Sequence, residues 1–110
     1  MKVPNAENAE IEIGKLRDYC LNPNSDVGEH KARVFASALN LLRKDWETLQ
    51  NALLVAVKSE DAKLGKPNNY GEVFIVEFDM TNAGKTAIVR SVWMIKPGSK
   101  NPELITCYVV

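Results

Sequence analysis

The apolar residues of this 110-residue chain change their spacing once, near Tyr70, and that change limits the folds open to it. Up to about Val57 the apolar residues recur every three or four positions, as they do on one face of a helix. Beyond Tyr70 they alternate with polar residues or run together, as they do in strands. Helices followed by strands predict an α+β domain whose helices cover one face of an antiparallel sheet.

Three helices are predicted in the first half of the chain, over about residues 10–21, 28–39 and 45–58. Asp45 is expected to cap the third helix with its carboxylate. Residues 1–9 are polar and are expected to form a weakly ordered arm. Residues 59–69 are also polar, and they are expected to form the most mobile loop.

The second half is predicted to form a meander of three to four antiparallel strands. Three strands are expected over residues 71–80, 85–96 and 103–110, and short turns join them. The second of these strands is apolar on both faces, which predicts a central strand covered on both sides. At this length we expect a single domain, residues 1–110.

Composition excludes some classes of function. Lys and Arg number 14, as do Asp and Glu, so the net charge is zero. This balance argues against non-specific binding to duplex DNA. No apolar run approaches the ~18 residues that a membrane span needs, so we expect a cytoplasmic protein, or a domain of a larger one, without a membrane partner.

Two cysteines, Cys20 and Cys107, stand far apart and lack the spacing of a metal site. We interpret them as reduced, half-buried packing residues, with a disulfide as the alternative. The chain also lacks the glycine-rich, zinc and calcium motifs, so no cofactor and no metal are expected.

The predicted start of the second helix carries three basic residues of different chemistry: His30, Lys31 and Arg33. A helical period puts Lys31 in the middle of the apolar arc. Its methylene stem could cover apolar surface while its ammonium reaches water. Alternatively, Lys31 and His30 point into a cleft that binds a phosphate or carboxylate, helped by the positive end of the helix.

Arg90 lies in the middle of a predicted apolar strand. An unpaired buried guanidinium would cost several kcal/mol or more, so it must meet an anion or a water-filled groove. The anion could be Glu77, Asp79 or Glu103, or it could be a ligand phosphate, which suits the planar fork of arginine.

Other residues of the predicted strands add polar groups. Thr106 and Tyr108 share one face of the last strand, where they could position a polar ligand or form an ordinary cross-strand pair. Trp93 faces away from Arg90 and is interpreted as a packing residue. His30 is the only histidine, so it is the natural candidate for acid–base chemistry near neutral pH.

Several segments together resemble a known family. They are Leu21-Asn22-Pro23, Gly28-x-His30-Lys31-Ala32-Arg33-Val34-Phe35, Arg90-Ser91-x-Trp93 and Leu104-x-Thr106-x-Tyr108. The chain resembles, over nearly its whole length, a family of small bacterial domains of unknown function. Some relatives look like terminal domains of larger proteins of the polymorphic-toxin kind, which implies that they are exported as part of those proteins. The order of elements is also similar to the barnase, EndoU and RelE group of metal-independent ribonucleases.

Two hypotheses follow. In the first, the chain is an RNA-binding or RNA-cleaving effector domain, whose partners are RNA or an immunity-like protein. The residues would then act as follows: His30 as general acid or base, Lys31 and Arg90 on the phosphate, Arg33 as a further substrate contact, and Thr106 or Tyr108 on the ribose. In the second, the chain is a non-catalytic interaction module, and the same motif ties the helices to the sheet.

Overall fold

The computed structural model of the protein describes all residues, 1–110. Its helical elements come first along the chain: α1 (Ile13–Lys15), a π-helical turn (Leu16–Cys20), α2 (Glu29–Leu39) and α3 (Trp46–Ser59). Two short 3₁₀ turns, Ala6–Asn8 and Arg43–Asp45, precede α1 and α3. No helix in the structure combines the length and the apolar character that crossing a bilayer requires.

The prediction of the first helix was wrong in detail, because only three of its residues are α-helical. The chain then widens into the π-helical turn, in which the Leu21 amide donates to the Leu16 carbonyl at 2.9 Å. This wider turn buries Leu16 and Cys20 completely. Periodicity cannot distinguish such a turn from an α-helix, since both place apolar residues four apart on nearly one side.

The other two helices are close to their predicted bounds, but the predicted cap of α3 is wrong. The Asp45 carboxylate accepts a hydrogen bond from the Leu42 amide at 2.9 Å, so it closes the preceding 3₁₀ turn. It makes no hydrogen bond to the amides of α3. At the end of α2, Asn40 takes a left-handed conformation with φ 52°, which ends that helix.

Four antiparallel strands form one sheet in the order of the chain: β1 (Ala62–Leu64), β2 (Glu72–Asn82), β3 (Lys85–Ile95) and β4 (Glu103–Val109). The predicted α+β class and antiparallel meander are therefore confirmed. The prediction that residues 59–69 form only a loop was wrong, because β1 lies there and pairs Ala62 with Val76. A three-residue strand is too short to show a period of its own.

One face of the sheet carries the core residues, among them Phe74, Val76 and Trp93, and the helices cover this face. Strand β3 is central, as predicted, but it is covered on one side only. On its other side Ile88 is 46% exposed and Arg90 is half-buried. The apolar residues on this outer face therefore misled the prediction.

A bulge in β4 sets which residues of that strand face the core. The pairing with β3 shifts between Val92 and Trp93, so that Trp93 lies opposite Leu104 while Val92 lies opposite Thr106. Because of this extra residue, both Leu104 and Cys107 are buried although they are three positions apart. Thr106 and Tyr108 share one face of β4, as predicted, and this is the outer face of the sheet, which also carries Arg90.

Residues 1–9 were expected to be weakly ordered, but they pack against the rest of the fold. Val3 and Ala6 are buried in the core. The Met1 carbonyl accepts a hydrogen bond from the Ala62 amide at 2.6 Å. Val3 and Ala6 follow no helical or strand period in the sequence, so their burial could be seen only in the tertiary structure.

Candidate functional site

The start of α2 lies directly against the π-helical turn, and Gly28 makes this possible. A Cβ atom at Gly28 would overlap with the carbonyl oxygen of Tyr19, so only a glycine allows the two backbones this close. The Gly28 amide is satisfied by the Ser25 hydroxyl at 3.1 Å. This close approach places Lys31, one turn further along α2, beside the Tyr19 side chain.

Lys31 is the centre of the site. Its ammonium donates hydrogen bonds to Tyr19 Oη at 2.9 Å and to Thr106 Oγ1 at 3.0 Å. It also lies 4.8 Å from the centre of the Tyr19 ring and 5.7 Å from that of Tyr108. These are cation–π distances, so aromatic faces supply part of its stabilisation.

No carboxylate forms an ion pair with Lys31. Its side chain is half-buried, so water cannot fully solvate the charge. An ammonium has three donor hydrogens, and the two hydroxyls account for two of them. One donor hydrogen of the ammonium thus has no acceptor within the protein.

An open cleft of about 250 Å³ lies next to this ammonium. Its lining consists of His30, Lys31, Val34, Tyr108 and Val109. The His30 side chain is exposed, so a molecule bound in the cleft can contact its imidazole. The cleft therefore brings a cation without an acidic partner and an ionisable imidazole together with an aromatic ring and two valines.

Arg90 stands behind this cleft and is already paired with an acid. Its guanidinium donates to Glu77 Oε2 at 3.0 and 3.2 Å, and to Tyr108 Oη at 3.3 Å. The hydrogen bonds to Tyr108 and Glu77, together with the Glu77 charge, raise the pKa of Arg90. Of the three acids that the sequence offered, the fold thus selects Glu77, which lies directly opposite Arg90 in the sheet.

The structure brings together five of the six site residues named from the sequence. His30, Lys31 and Tyr108 line the cleft, Thr106 binds Lys31, and Arg90 reaches the cleft only through Tyr108. Arg33 lies elsewhere: its side chain is 70% exposed and pairs with Glu29 at 3.3 Å, one turn earlier in α2.

Tyr19 is the residue of this site to which the sequence analysis gave no role. It lies 12 positions before Lys31, across a loop, so helical periodicity does not relate the two. Trp93, in contrast, is fully buried and donates to Ser91 Oγ at 2.9 Å, so its interpretation as a packing residue is confirmed.

The two cysteines lie next to the residues that hold Lys31. Cys20 follows Tyr19, and Cys107 follows Thr106. Both thiols are free and fully buried, which is deeper than predicted, and Cys107 Sγ donates to Cys20 Sγ at 3.9 Å. This hydrogen bond, aided by Thr106 and by the Lys31 charge, lowers the pKa of Cys20 to about 7. Donation to Cys20 and burial raise the pKa of Cys107.

A larger groove of about 410 Å³ lies between α3 and β2. Its lining includes Thr48, Ala52 and Val55 from α3 and Phe78 and Met80 from β2, but no basic side chain. Its two ionisable residues are both acidic. The smaller cleft is therefore the better candidate for an anionic ligand, despite the difference in volume.

Comparison with known families places the chain in a family. The sequence model of the family described as DUF6883, a domain of unknown function, matches residues 2–110. The chain therefore belongs to this family. No curated protein matches the sequence.

Proposed function

We propose that this member of the DUF6883 family binds RNA in the cleft beside Lys31 and cleaves the RNA backbone without a metal ion. The observation that carries the proposal is the half-buried ammonium of Lys31, which has no acidic partner. Lys31 lines the same cleft as His30. A phosphate oxygen would supply the missing charge and accept the remaining hydrogen bond. Such a charge-assisted bond is stronger in this partly dehydrated site than in water.

The side chains of the cleft suggest distinct roles. Lys31 would bind a non-bridging phosphate oxygen and stabilise the charge that develops on it. His30 would take the proton of the ribose 2′-hydroxyl as that oxygen attacks phosphorus. The bond from phosphorus to the 5′-oxygen of the next nucleotide breaks, and this oxygen takes up a proton from water. The Tyr108 ring, with Val34 and Val109, offers an apolar surface for the attached base or sugar.

Thr106 and Arg90 receive supporting roles in this proposal. Thr106 Oγ1 accepts from Lys31, so it orients the ammonium and does not need to touch the ribose. Arg90 holds the Tyr108 hydroxyl while its own charge is balanced by Glu77. Arg33 contributes nothing to this cleft, since its guanidinium is engaged with Glu29.

The proposal is tested by incubating the protein with a single-stranded RNA oligonucleotide in the presence of EDTA. We expect products that end in a cyclic 2′,3′-phosphate. His30→Ala should lower the cleavage rate by about 100- to 10,000-fold, the usual contribution of a general acid or base. Lys31→Met should weaken both binding and cleavage.

Lys58→Met is the matched control, because Lys58 is an exposed lysine near the end of α3 with no ion pair. It should bind and cleave RNA like the unmodified protein. Unchanged cleavage in both His30→Ala and Lys31→Met, or no RNA binding by the unmodified protein, would contradict the proposal. Melting temperatures of all variants separate a lost activity from a lost fold.

A second candidate function is a non-catalytic interaction module. It is favoured by the bonds of Lys31, which tie α2 to the π-helical turn through Tyr19 and to β4 through Thr106. The closed ion pair of Arg90 with Glu77 points the same way. In that case Lys31→Met should lower the free energy of unfolding by about 1.5–3 kcal/mol, the range for hydrogen bonds to a charged group. Neither the unmodified protein nor any variant would then cleave RNA.

A further inference from the structure

We propose that Cys20 and Cys107 are a site of reversible oxidation, at which a disulfide joins the π-helical turn to β4. The two Sγ atoms lie 3.9 Å apart and already contact each other. The cysteines are 87 positions apart in the chain, so this contact is made by the fold. They are also the only cysteines of the chain, which leaves no competing partner within the molecule.

The two sulfur atoms are close enough for a small movement to allow a disulfide bond. A disulfide requires an S–S distance of about 2.05 Å, so the sulfur atoms must approach each other by about 2 Å. Cys107 is held in the sheet, where it pairs with Ser91 of β3. Cys20 is the last residue of the five-residue π-helical turn, and we expect this short element to be the one that moves toward β4.

The pair is chemically asymmetric. Cys107 donates the shared hydrogen bond and Cys20 accepts it, with Thr106 and the Lys31 ammonium near Cys20. Cys20 is therefore the thiol that loses its proton first, and the thiolate is the nucleophile in thiol chemistry. Cys107 keeps its proton and is placed to resolve the oxidised Cys20.

Hydrogen peroxide is the oxidant that the proposal requires. The Cys20 thiolate attacks one peroxide oxygen, the O–O bond breaks, and the leaving hydroxide takes a proton to become water. Cys107 sulfur then attacks the sulfenic sulfur of Cys20. Its S–H proton joins the departing hydroxyl as a second water, and two thiols and one peroxide have become one disulfide and two waters.

Neither thiol reaches solvent in the folded state, since both residues are completely buried. Oxidation therefore requires a local opening of the π-helical turn. We expect it to be slower than that of an exposed thiol and to accelerate in denaturant concentrations too low to unfold the domain. The disulfide would also fix Tyr19 and Thr106, the neighbours of the two cysteines and both hydrogen-bond acceptors of Lys31.

The test treats the full chain with hydrogen peroxide, blocks remaining thiols with iodoacetamide in denaturant, and measures the intact mass before and after reduction with dithiothreitol. We expect a monomer that has lost two hydrogen atoms, takes up no iodoacetamide, and recovers both reactive thiols on reduction. Tryptic mapping should yield a peptide that links Cys20 to Cys107. The oxidised form should melt at a higher temperature than the reduced form, because the cross-link closes a long loop.

Cys20→Ser and Cys107→Ser are the control variants, and neither should form the intramolecular product. The proposal is overturned if the unmodified chain keeps two alkylatable thiols after peroxide treatment. It is equally overturned if peroxide yields only sulfinic acids or disulfide-linked dimers. Mapping of the unmodified chain decides the question even if a serine variant fails to fold. Because the readout is the state of the thiols, it does not depend on whether the domain acts on RNA.

Discussion

At the scale of single residues, each buried polar side chain of this domain forms a hydrogen bond with a particular partner atom. Ser91 is the only buried polar side chain in the core, and its hydroxyl makes two bonds. It donates to the Val76 carbonyl at 2.8 Å and accepts from the Trp93 indole at 2.9 Å. No buried side-chain nitrogen or oxygen in the structure lacks a partner. One hydroxyl therefore allows the largest side chain of the core to be buried without an unpaired N–H.

Ser91→Ala tests whether the burial of Trp93 depends on the Ser91 hydroxyl. The substitution leaves the Trp93 N–H buried without an acceptor, which costs about 1–3 kcal/mol of unfolding free energy. Urea denaturation followed by tryptophan fluorescence measures the loss. Ser59→Ala is the control, because the exposed Ser59 hydroxyl only donates to the Val55 carbonyl within α3. Equal stability of the two variants would show that the Ser91 bond is not needed.

At the scale of elements, the position of α2 decides whether the basic residues at its start form a site. Helix α2 begins immediately after Gly28, where its backbone touches the Tyr19 carbonyl at the end of the π-helical turn. From there Lys31 reaches both Tyr19 and the edge strand β4. A small shift of α2 would break both hydrogen bonds and open the cleft.

Gly28→Ala should therefore disturb stability and site together. The added methyl group overlaps with backbone, which cannot rotate away as a side chain could, so we expect a loss of about 1–3 kcal/mol. Thermal unfolding measures the loss, and the nuclear magnetic resonance shifts of the Lys31 side chain report on the displaced helix.

Gly14→Ala is the matched control in α1. A Cβ atom there lies 3.6 Å from a carboxylate oxygen of Asp18, an ordinary contact. Because alanine restricts the unfolded chain more than glycine does, this variant should keep or slightly raise the stability. A Gly28→Ala protein as stable as Gly14→Ala would rule out the close backbone contact.

At the scale of the whole molecule, one cluster of buried residues holds together elements from both ends of the chain. It includes Val3 and Ala6 near the N-terminus and Leu104 and Cys107 in the last strand. Glu10 adds to this closure, because its amide donates to the Pro102 carbonyl and its carbonyl accepts from the Leu104 amide, each at 2.9 Å. The first residues of the chain thus stabilise the edge of the sheet that carries Thr106 and Tyr108.

Val3→Ala should lower the stability of the whole domain. Removing two methyl groups from a buried side chain costs about 1.5–2.5 kcal/mol, the sum of lost burial and the cavity left behind. Denaturant unfolding should show a lower midpoint with an unchanged slope. Glu7→Ala, an exposed position in the same segment, should leave the midpoint where it is. A null effect of Val3→Ala would mean that this segment does not pack on the core in solution.

The sequence by itself determined the α+β class, the long helices α2 and α3, the three long strands and the inward position of Trp93. All of these follow from the spacing of apolar residues, which is a local property of the chain. It also placed Thr106 and Tyr108 on one face of the last strand, since residues two positions apart in a strand point to the same side.

Only the tertiary structure decided which of those groups meet. The choice of Glu77 for Arg90, the bonds from Lys31 to Tyr19 and Thr106, and the contact of Cys20 with Cys107 depend on distances between residues far apart in the chain. The burial of Val3 and the formation of the π-helical turn were likewise decided only by the tertiary structure. Local spacing fixes which side of an element a residue occupies, but packing between elements fixes its neighbour, and the candidate site consists of such neighbours.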